Sequence, residues 1–186
     1  GVQTCALPIC VDVHVLYPSV FLRPLTDKPH VEIALHRSYN RWMADIWSHA
    51  KSRLRWAAMV PYLSPDEAIK EMRWAKDNGA VALFARGIEA DRRMTDPYFF
   101  PIYEEASRLD LPLGIHSSGS TLDMYDWWGD EIGFNRFKLT VVGCFHSMIV
   151  SDLSRQFPRL RAGFIEVSAQ WIPYVDRKST RLNSSH

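Results

Sequence analysis

Cysteine is scarce in this sequence, and two motifs that identify common enzyme classes are missing. The 186 residues contain three cysteines without a CxxC spacing, which argues against a disulfide framework and favours a reducing, cytoplasmic setting. No GxGxxG follows the first predicted strand, so a dinucleotide-binding sheet is disfavoured. No GxSxG is present either, which disfavours an open-sheet serine hydrolase.

Long apolar runs and a strong charge of one sign are also absent. No apolar run reaches the roughly 18 residues of a transmembrane helix, so we expect no membrane partner. The formal net charge is only +1, and we expect no nucleic-acid partner. The hydrophobic fraction of 47% excludes a disordered chain, because it supplies enough apolar surface for a core.

Both ends of the chain resemble translated sequencing-adapter DNA. The segments GVQTCALPI and DRKSTRLNSSH are encoded by one DNA sequence read in opposite senses. We therefore expect residues 1–9 and 176–186 to be artefacts, and residues 10–175 to form one partial domain. Without the second segment the chain has 19 basic and 20 acidic residues, so its basic tail is not a nucleic-acid-binding arm.

Predicted strands and helices alternate along the chain. The apolar patterns predict strands in VDVHVLY, LRWAAMVPY, AVALFARGI, LPLGIHSS and LRAGFIEV. The clearest helix between them begins with a capping box of Ser64 and Glu67 and ends at Gly79, and Asp96 caps the next helix. This alternation predicts an α/β fold with parallel strands. It leaves open whether the strands form part of a (β/α)8 barrel or an open doubly wound sheet.

His116 stands at the carboxyl end of a predicted strand, where both architectures collect their functional groups. The small residues 117–119 follow it and leave space beside the ring. An imidazole held in this way suits a metal ligand. The alternative is a core histidine that is hydrogen-bonded to a neighbouring carbonyl group.

Glu166 and Arg86 have similar positions, late in the strands RAGFIEV and AVALFARG. A buried carboxylate needs a cation, a metal or the rim of a pocket. An arginine at a strand end suits an anionic substrate group, and the alternative is an ion pair.

His146 lies on a predicted helix that covers residues 137–157. It shares an apolar stripe with Leu139, Val142, Ile149 and Leu153. An imidazole on such a stripe needs a polar partner or a cavity. The sequence alone leaves a structural and a functional histidine open here.

Residues 120–135 form a long insertion that contains Trp127 and Trp128. An insertion of this length and aromatic content is typical of a lid over a pocket or of a subunit contact. It is therefore open whether the parent protein forms a homo-oligomer.

Two stretches, DPYFFPIYEEASRLDLPLGIHSSG and FPRLRAGFIEVSAQWIPY, resemble the amidohydrolase-related metal-dependent hydrolases of the aminocarboxymuconate-semialdehyde decarboxylase type. The resemblance implies a partial (β/α)8 TIM barrel with about five of eight βα units. It also implies a divalent metal at the barrel mouth, with zinc first and manganese or iron as alternatives. His116 matches the family's mid-chain metal ligand, whereas the family's first-strand HxH pair and late aspartate have no counterpart here.

The resemblance implies a metal-dependent hydrolase or non-oxidative decarboxylase that acts on a small carboxylate or cyclic substrate. We expect this piece of the enzyme to be inactive by itself. Many family decarboxylases have histidine in place of Glu166, and in members with this glutamate a histidine stands on the preceding helix, as His146 does. We hypothesise that His146 and Glu166 form a catalytic acid-base pair. The candidate substrate-binding residues are Arg86, Trp127 and Trp128.

A noncatalytic reading remains as the alternative from another class. In it, the chain is part of a barrel-like interaction or scaffold protein whose histidines are structural. A metal-binding histidine pair and a late aspartate elsewhere in the parent protein would distinguish the enzyme from the scaffold.

Overall fold

A parallel sheet flanked by helices organises the chain in a computed structural model. The structure describes residues 11–50, 53–119, 121–127 and 133–176. In these ranges the strands are β1 (His14–Leu16), β2 (Leu54–Ala58), β3 (Ala80–Ala85), β4 (Ile88–Glu89), β5 (Arg92–Arg93), β6 (Leu113–His116) and β7 (Ala162–Ile165). The α-helices are α1 (Pro29–His49), α2 (Pro65–Asp77), α3 (Phe100–Leu109), α4 (Leu122–Trp127), α5 (Leu139–Val150) and α6 (Leu153–Gln156). Apart from Asp176, both segments predicted to be adapter-derived lie outside the described residues.

The main sheet has the strand order β1-β2-β3-β6-β7, and every pair in it is parallel. It curls into part of a barrel, which confirms the predicted α/β fold and the partial TIM barrel. The strands β4 and β5 form a separate two-stranded antiparallel hairpin after β3. None of the helices in the described ranges is long and apolar enough to cross a membrane.

Two apolar clusters cover the two faces of the sheet. The larger one lies between the strands and the helices and includes Trp56, Leu83 and Met72. The smaller one contains Phe21, Ala57, Met59, Ala82 and Phe84, and we call the face that carries it the inner face. Because side chains alternate along a strand, neighbouring residues such as Ala57 and Ala58 fall into different clusters.

The buried amide of Asn40 joins α1 to the end of β2. Its Nδ2 donates to the carbonyl oxygen of Met59 at 2.7 Å and to Oε1 of Glu71 at 2.9 Å. Its Oδ1 accepts from the backbone N–H of Met59 at 2.9 Å. Both Asn40 and Met59 are fully buried, so these bonds satisfy backbone groups that water cannot reach.

The ends of the helices only partly follow the predicted caps. The predicted capping box of α2 is wrong, because the Ser64 side chain makes no cap hydrogen bond and Glu67 instead pairs with Arg37 and Lys70. Asp96 does act as a cap, since its carboxylate accepts from the N–H of Tyr98 at 2.9 Å. That cap begins a 3-10 turn, Pro97–Phe99, which leads into α3.

The single helix predicted over residues 137–157 is interrupted in the structure. A π-helical turn, Phe134–Lys138, precedes α5, and Ser151 has an extended conformation between α5 and α6. The buried face of α5 consists of Thr140, Val141 and Cys144.

The predicted apolar stripe of this helix is buried only in part, since Leu139 is 40% exposed and Ile149 is 51% exposed, whereas Leu153 is 3% exposed. The physical reason is close backbone packing at the start of α5. A Cβ atom added to Gly87 would lie 2.4 Å from the carbonyl oxygen of Thr140. This contact presses Thr140 and Val141 against the end of β3.

Candidate metal centre

His116 is the last residue of β6 and has only 5% of its surface exposed. Its Nδ1 lies 2.9 Å from the carbonyl oxygen of Ser117. A carbonyl oxygen can only accept, so Nδ1 donates in this contact, and Nε2 is the ring nitrogen that is left for another partner. A backbone carbonyl commonly orients a metal-binding histidine in this way.

Glu166 lies next to the free nitrogen of this histidine. Its Oε2 is 3.7 Å from Nε2 of His116, which is too long for a hydrogen bond. Glu166 directly follows β7 and has a φ angle of +58°, and Ser168 has a φ of +60°. The left-handed backbone at both positions is unusual for residues other than glycine, and it turns the carboxylate back towards the end of β6.

The side chains of His116 and Glu166 are of the types that bind divalent metal ions. Imidazole nitrogen and carboxylate oxygen are both ligands of zinc and manganese, and the two side chains lie at the same edge of the sheet. No group of three or more His, Cys, Asp or Glu side chains suited to a metal occurs in residues 11–50, 53–119, 121–127 and 133–176.

Aromatic rings and glycines form the walls around His116. The ring centroids of Tyr17 and Phe84 lie 5.5 Å and 6.0 Å from that of His116. Gly114 and Gly163 are paired across β6 and β7. Gly114 leaves room for the Tyr17 phenol, because a Cβ atom added to Gly114 would lie 2.5 Å from the phenolic oxygen.

His146 does not join Glu166 in the described part of the chain. It is half-buried on α5, and no hydrogen bond or ion pair links these two side chains there, whereas the Glu166 carboxylate lies beside His116. The structure thus brings Glu166 together with the predicted metal ligand and leaves the hypothesised acid-base pair unformed. The catalytic roles of both residues stay predictions.

Arg86 lies at the end of β3, as predicted, but its guanidinium is buried and paired. Glu89 on β4 receives hydrogen bonds from Nε at 3.1 Å and from Nη2 at 2.6 Å. Nη1 donates to the carbonyl oxygen of Phe21 at 3.2 Å. The two partners are 3% and 1% exposed, so a substrate anion has to compete with Glu89, and substrate binding by Arg86 stays a prediction.

A second group of buried polar side chains surrounds this ion pair, and the sequence reasoning did not single it out. Burial raises the pKa of the Glu32 carboxyl to about 7. Burial, together with the Arg86 guanidinium, lowers the pKa of His36 to about 3. The sequence does contain one signal of this buried polar group. Glu32 and His36 are four residues apart on α1 and therefore lie on one face of the helix.

Only one of the two tryptophans of the predicted lid lies in the part of the chain that the structure describes. Trp127 is the last residue of α4 and is 73% exposed, and Trp128 lies outside the described residues. The side chain of Thr121 accepts from the N–H of Met124 at 3.0 Å and so caps this short helix. Substrate binding by either tryptophan stays a prediction.

Comparisons with known proteins give a consistent picture of the fold. A comparison with curated protein sequences finds no match. Among solved structures, 5-carboxyvanillate decarboxylase from Sphingomonas paucimobilis is similar at 19% identity and a TM-score of 0.79, with 100% of this chain and 57% of that chain covered. For 2,6-dihydroxybenzoate decarboxylase from Rhizobium the identity is 20% and the TM-score 0.73, with 87% and 54% covered.

A third structure, 5-carboxyvanillate decarboxylase from Novosphingobium aromaticivorans in complex with manganese and 4-hydroxy-3-methoxy-5-nitrobenzoic acid, gives 19% identity and a TM-score of 0.78. It is covered over 56% of its length, and this chain over 100%. The chain thus spans about half the length of the solved structures it matches, and at these identities they establish the fold alone. The sequence itself matches the amidohydrolase family over residues 3–183. The chain belongs to the amidohydrolase family.

Proposed function

We propose that this chain is about half of a metal-dependent carboxy-lyase or hydrolase that acts on a small carboxylate, and that the remaining metal ligands belong to the rest of the parent protein. The observation that carries the proposal is the orientation of the buried His116 ring, whose Nδ1 contacts the Ser117 carbonyl oxygen and whose Nε2 lies 3.7 Å from the Glu166 carboxylate. A buried histidine with only a structural role does not need a carboxylate beside its free nitrogen.

The metal is proposed to be zinc, with manganese or iron as alternatives, held by His116 with Glu166 beside it. A bound divalent ion supplies Lewis-acid polarisation of a substrate oxygen or acidification of water. One solved structure similar to this chain contains manganese, so the two ions need to be compared directly. A reducing cytoplasm is the proposed location, consistent with the buried free thiol of Cys144.

Decarboxylation is the reaction that we favour over hydrolysis. As CO2 leaves, its former carbon neighbour retains the electron pair of the broken bond and must receive a proton. Glu166 is proposed to deliver that proton, because its side chain is 70% exposed and lies beside His116 at the carboxyl edge of the sheet. His146 is proposed to assist from α5. The decarboxylases among the similar structures support this choice over hydrolysis.

The experiment compares metal content and turnover in the protein at its full natural length. The His116→Ala variant is expected to lose about 10-fold or more of its affinity for Zn²⁺ and Mn²⁺ and to lose turnover. His49→Ala is the matched control, because His49 is 79% exposed at the end of α1. Metal is measured by mass spectrometry after dialysis, and turnover as CO2 released from 2,6-dihydroxybenzoate and 5-carboxyvanillate. Wild-type protein that holds no metal and has no turnover would favour the scaffold reading instead.

A further inference from the structure

A small polar cavity lies between α1 and the segment that follows β1. Its volume of about 10 Å³ is close to the least that can hold one water molecule. Its walls come from that segment, from α1 and from the end of β3, and they consist of Phe21, Pro24, Leu25, Thr26, Glu32, Leu35, His36 and Arg86. Because residues 21–26 close one side of the cavity, we call them the cover segment.

The guanidinium of Arg86 is fully engaged at this cavity. Glu89 accepts from its Nε at 3.1 Å and from its Nη2 at 2.6 Å, and also accepts from the backbone N–H of Arg86 at 2.7 Å. The remaining guanidinium nitrogen, Nη1, donates to the carbonyl oxygen of Phe21 in the cover segment. These bonds fit the ionised form of Glu89, which therefore already balances the positive charge of Arg86.

Glu32 is thus left without a cation of its own. Only 6% of its surface is exposed, and its Oε2 accepts from the backbone N–H of Leu63 at 2.9 Å. The Arg86 guanidinium acts on it through its charge and not through a hydrogen bond. When Glu32 is ionised, two carboxylates share one guanidinium in a buried cluster. An uncompensated charge in such a place is costly, so the neutral form of Glu32 fits the closed structure.

The groups that face Glu32 supply no second positive charge. They are His36 on α1, Tyr62 after β2, Arg86 after β3, Glu89 on β4 and Tyr98 in the 3-10 turn. Burial lowers the pKa of His36 to about 3 and raises the pKa of both tyrosines, so these three groups are neutral near pH 7. In the part of the chain that the structure describes, Nδ1 of the buried His36 has no hydrogen-bond partner. It is available to accept from the neutral Glu32 carboxyl, which lies on the same face of α1.

The cover segment is attached to the sheet by long-range contacts. No helix or strand lies between β1 and α1. Phe21 is bonded through its carbonyl oxygen to Arg86, and the N–H of Gly119, after β6, donates to the carbonyl oxygen of Leu22 at 2.8 Å. Leu25 is 41% exposed on the outer side. A surface segment of this kind can open while the core stays folded.

We propose that the Glu32 carboxyl is a proton-operated latch, which keeps the cover segment closed over the cavity while it is neutral and releases the segment when it ionises. The proton passes to solvent, and the carboxylate that remains gains hydration once the cover segment has moved. The latch requires neither metal nor substrate, so it is independent of the proposed function.

The direction of the pH effect follows from the burial of Glu32. Burial raises its pKa from 4.5 to about 7, whereas in the open form the carboxyl is hydrated and returns towards its ordinary value. The closed form is therefore fully stabilised below pH 4.5, and this stabilisation is lost as the pH rises through about 7. Between pH 5 and pH 8 the open population should grow by about 10- to 100-fold.

The test is amide hydrogen exchange of Gly119 in the protein at its full natural length, because this N–H is bonded to the cover segment. Rates are corrected for the intrinsic effect of pH on exchange. The wild type is expected to lose about 10- to 100-fold of its protection between pH 5 and pH 8. Glu32→Gln, which has no proton to lose, should keep the same protection at both pH values. Glu104→Gln, at an exposed position of α3, is the matched control and should behave like the wild type.

Amides in the core helix α2 separate opening of the cover segment from general unfolding. They should keep their protection in the wild type at both pH values, and this comparison needs no variant. Constant protection of Gly119 in the wild type overturns the latch, and so does a loss that Glu32→Gln shares. A parallel loss in α2 also overturns it, since the whole domain would then be opening.

Discussion

Replacing Asn40 with alanine is the sharpest test of how α1 is attached to the sheet. The substitution removes three hydrogen bonds, two to the backbone of Met59 and one to Glu71. At about 1 kcal/mol for each net hydrogen bond, the loss is about 3 kcal/mol. The N–H and carbonyl groups of Met59 are then left unpaired in a fully buried position, which adds to this cost. Arg41 still pairs with Glu71, so that carboxylate keeps a partner.

The assay is urea unfolding of the protein at its full natural length, followed by tryptophan fluorescence. Ser38→Ala on the same helix is the control, because its exposed hydroxyl bonds only to the Ala34 carbonyl oxygen within the helix. A loss below about 1 kcal/mol for Asn40→Ala would refute the reasoning, since it would mean that water replaces these bonds.

Two further predictions concern the buried charges near Arg86. Glu32 ionises with a pKa of about 7 in the folded protein against 4.5 ordinarily, so its contribution to stability is present below pH 4.5 and is lost as pH rises through about 7. Glu32→Gln should therefore be more stable than wild type by about 3 kcal/mol at pH 8 and similar to it at pH 4, and a pH-independent difference in urea unfolding would contradict this. Glu89→Ala leaves the buried Arg86 guanidinium without its ion-pair partner and should lower the free energy of unfolding by about 3–5 kcal/mol. The control Asp152→Ala, whose pair with Arg155 is exposed, should change stability by less than about 1 kcal/mol.

The position of His116 could be predicted from sequence because it depends on strand order alone. An apolar run that ends in histidine places the ring at the carboxyl edge of any parallel sheet. The approach of Glu166 could not be predicted, since it depends on a positive φ at a glutamate and at Ser168. Residue type gives no signal for that conformation, which normally favours glycine.

The burial of Arg86 could not be predicted from the sequence either, because it also depends on residues with positive φ angles. Its partner Glu89 is brought back by a two-residue hairpin whose turn residues, Ala90 and Asp91, both have positive φ angles. Hairpin turns of this kind are usually signalled by Asn-Gly or Asp-Gly, and the sequence here has neither. The buried face of α5 depends similarly on the close contact of Thr140 with Gly87, which periodicity does not encode.

Two hydrogen bonds fix the segment after β1 to the ends of β3 and β6, and they bear on the order in which the molecule assembles. Arg86 donates to the carbonyl oxygen of Phe21, and the N–H of Gly119 donates to the carbonyl oxygen of Leu22. The bond from Arg86 to Phe21 joins residues 65 positions apart, and the bond from Gly119 to Leu22 spans an even longer stretch of chain. Closing such long loops is slow compared with forming a helix. During synthesis these two contacts therefore form only after β6 has left the ribosome, later than the local contacts within α1 and α2.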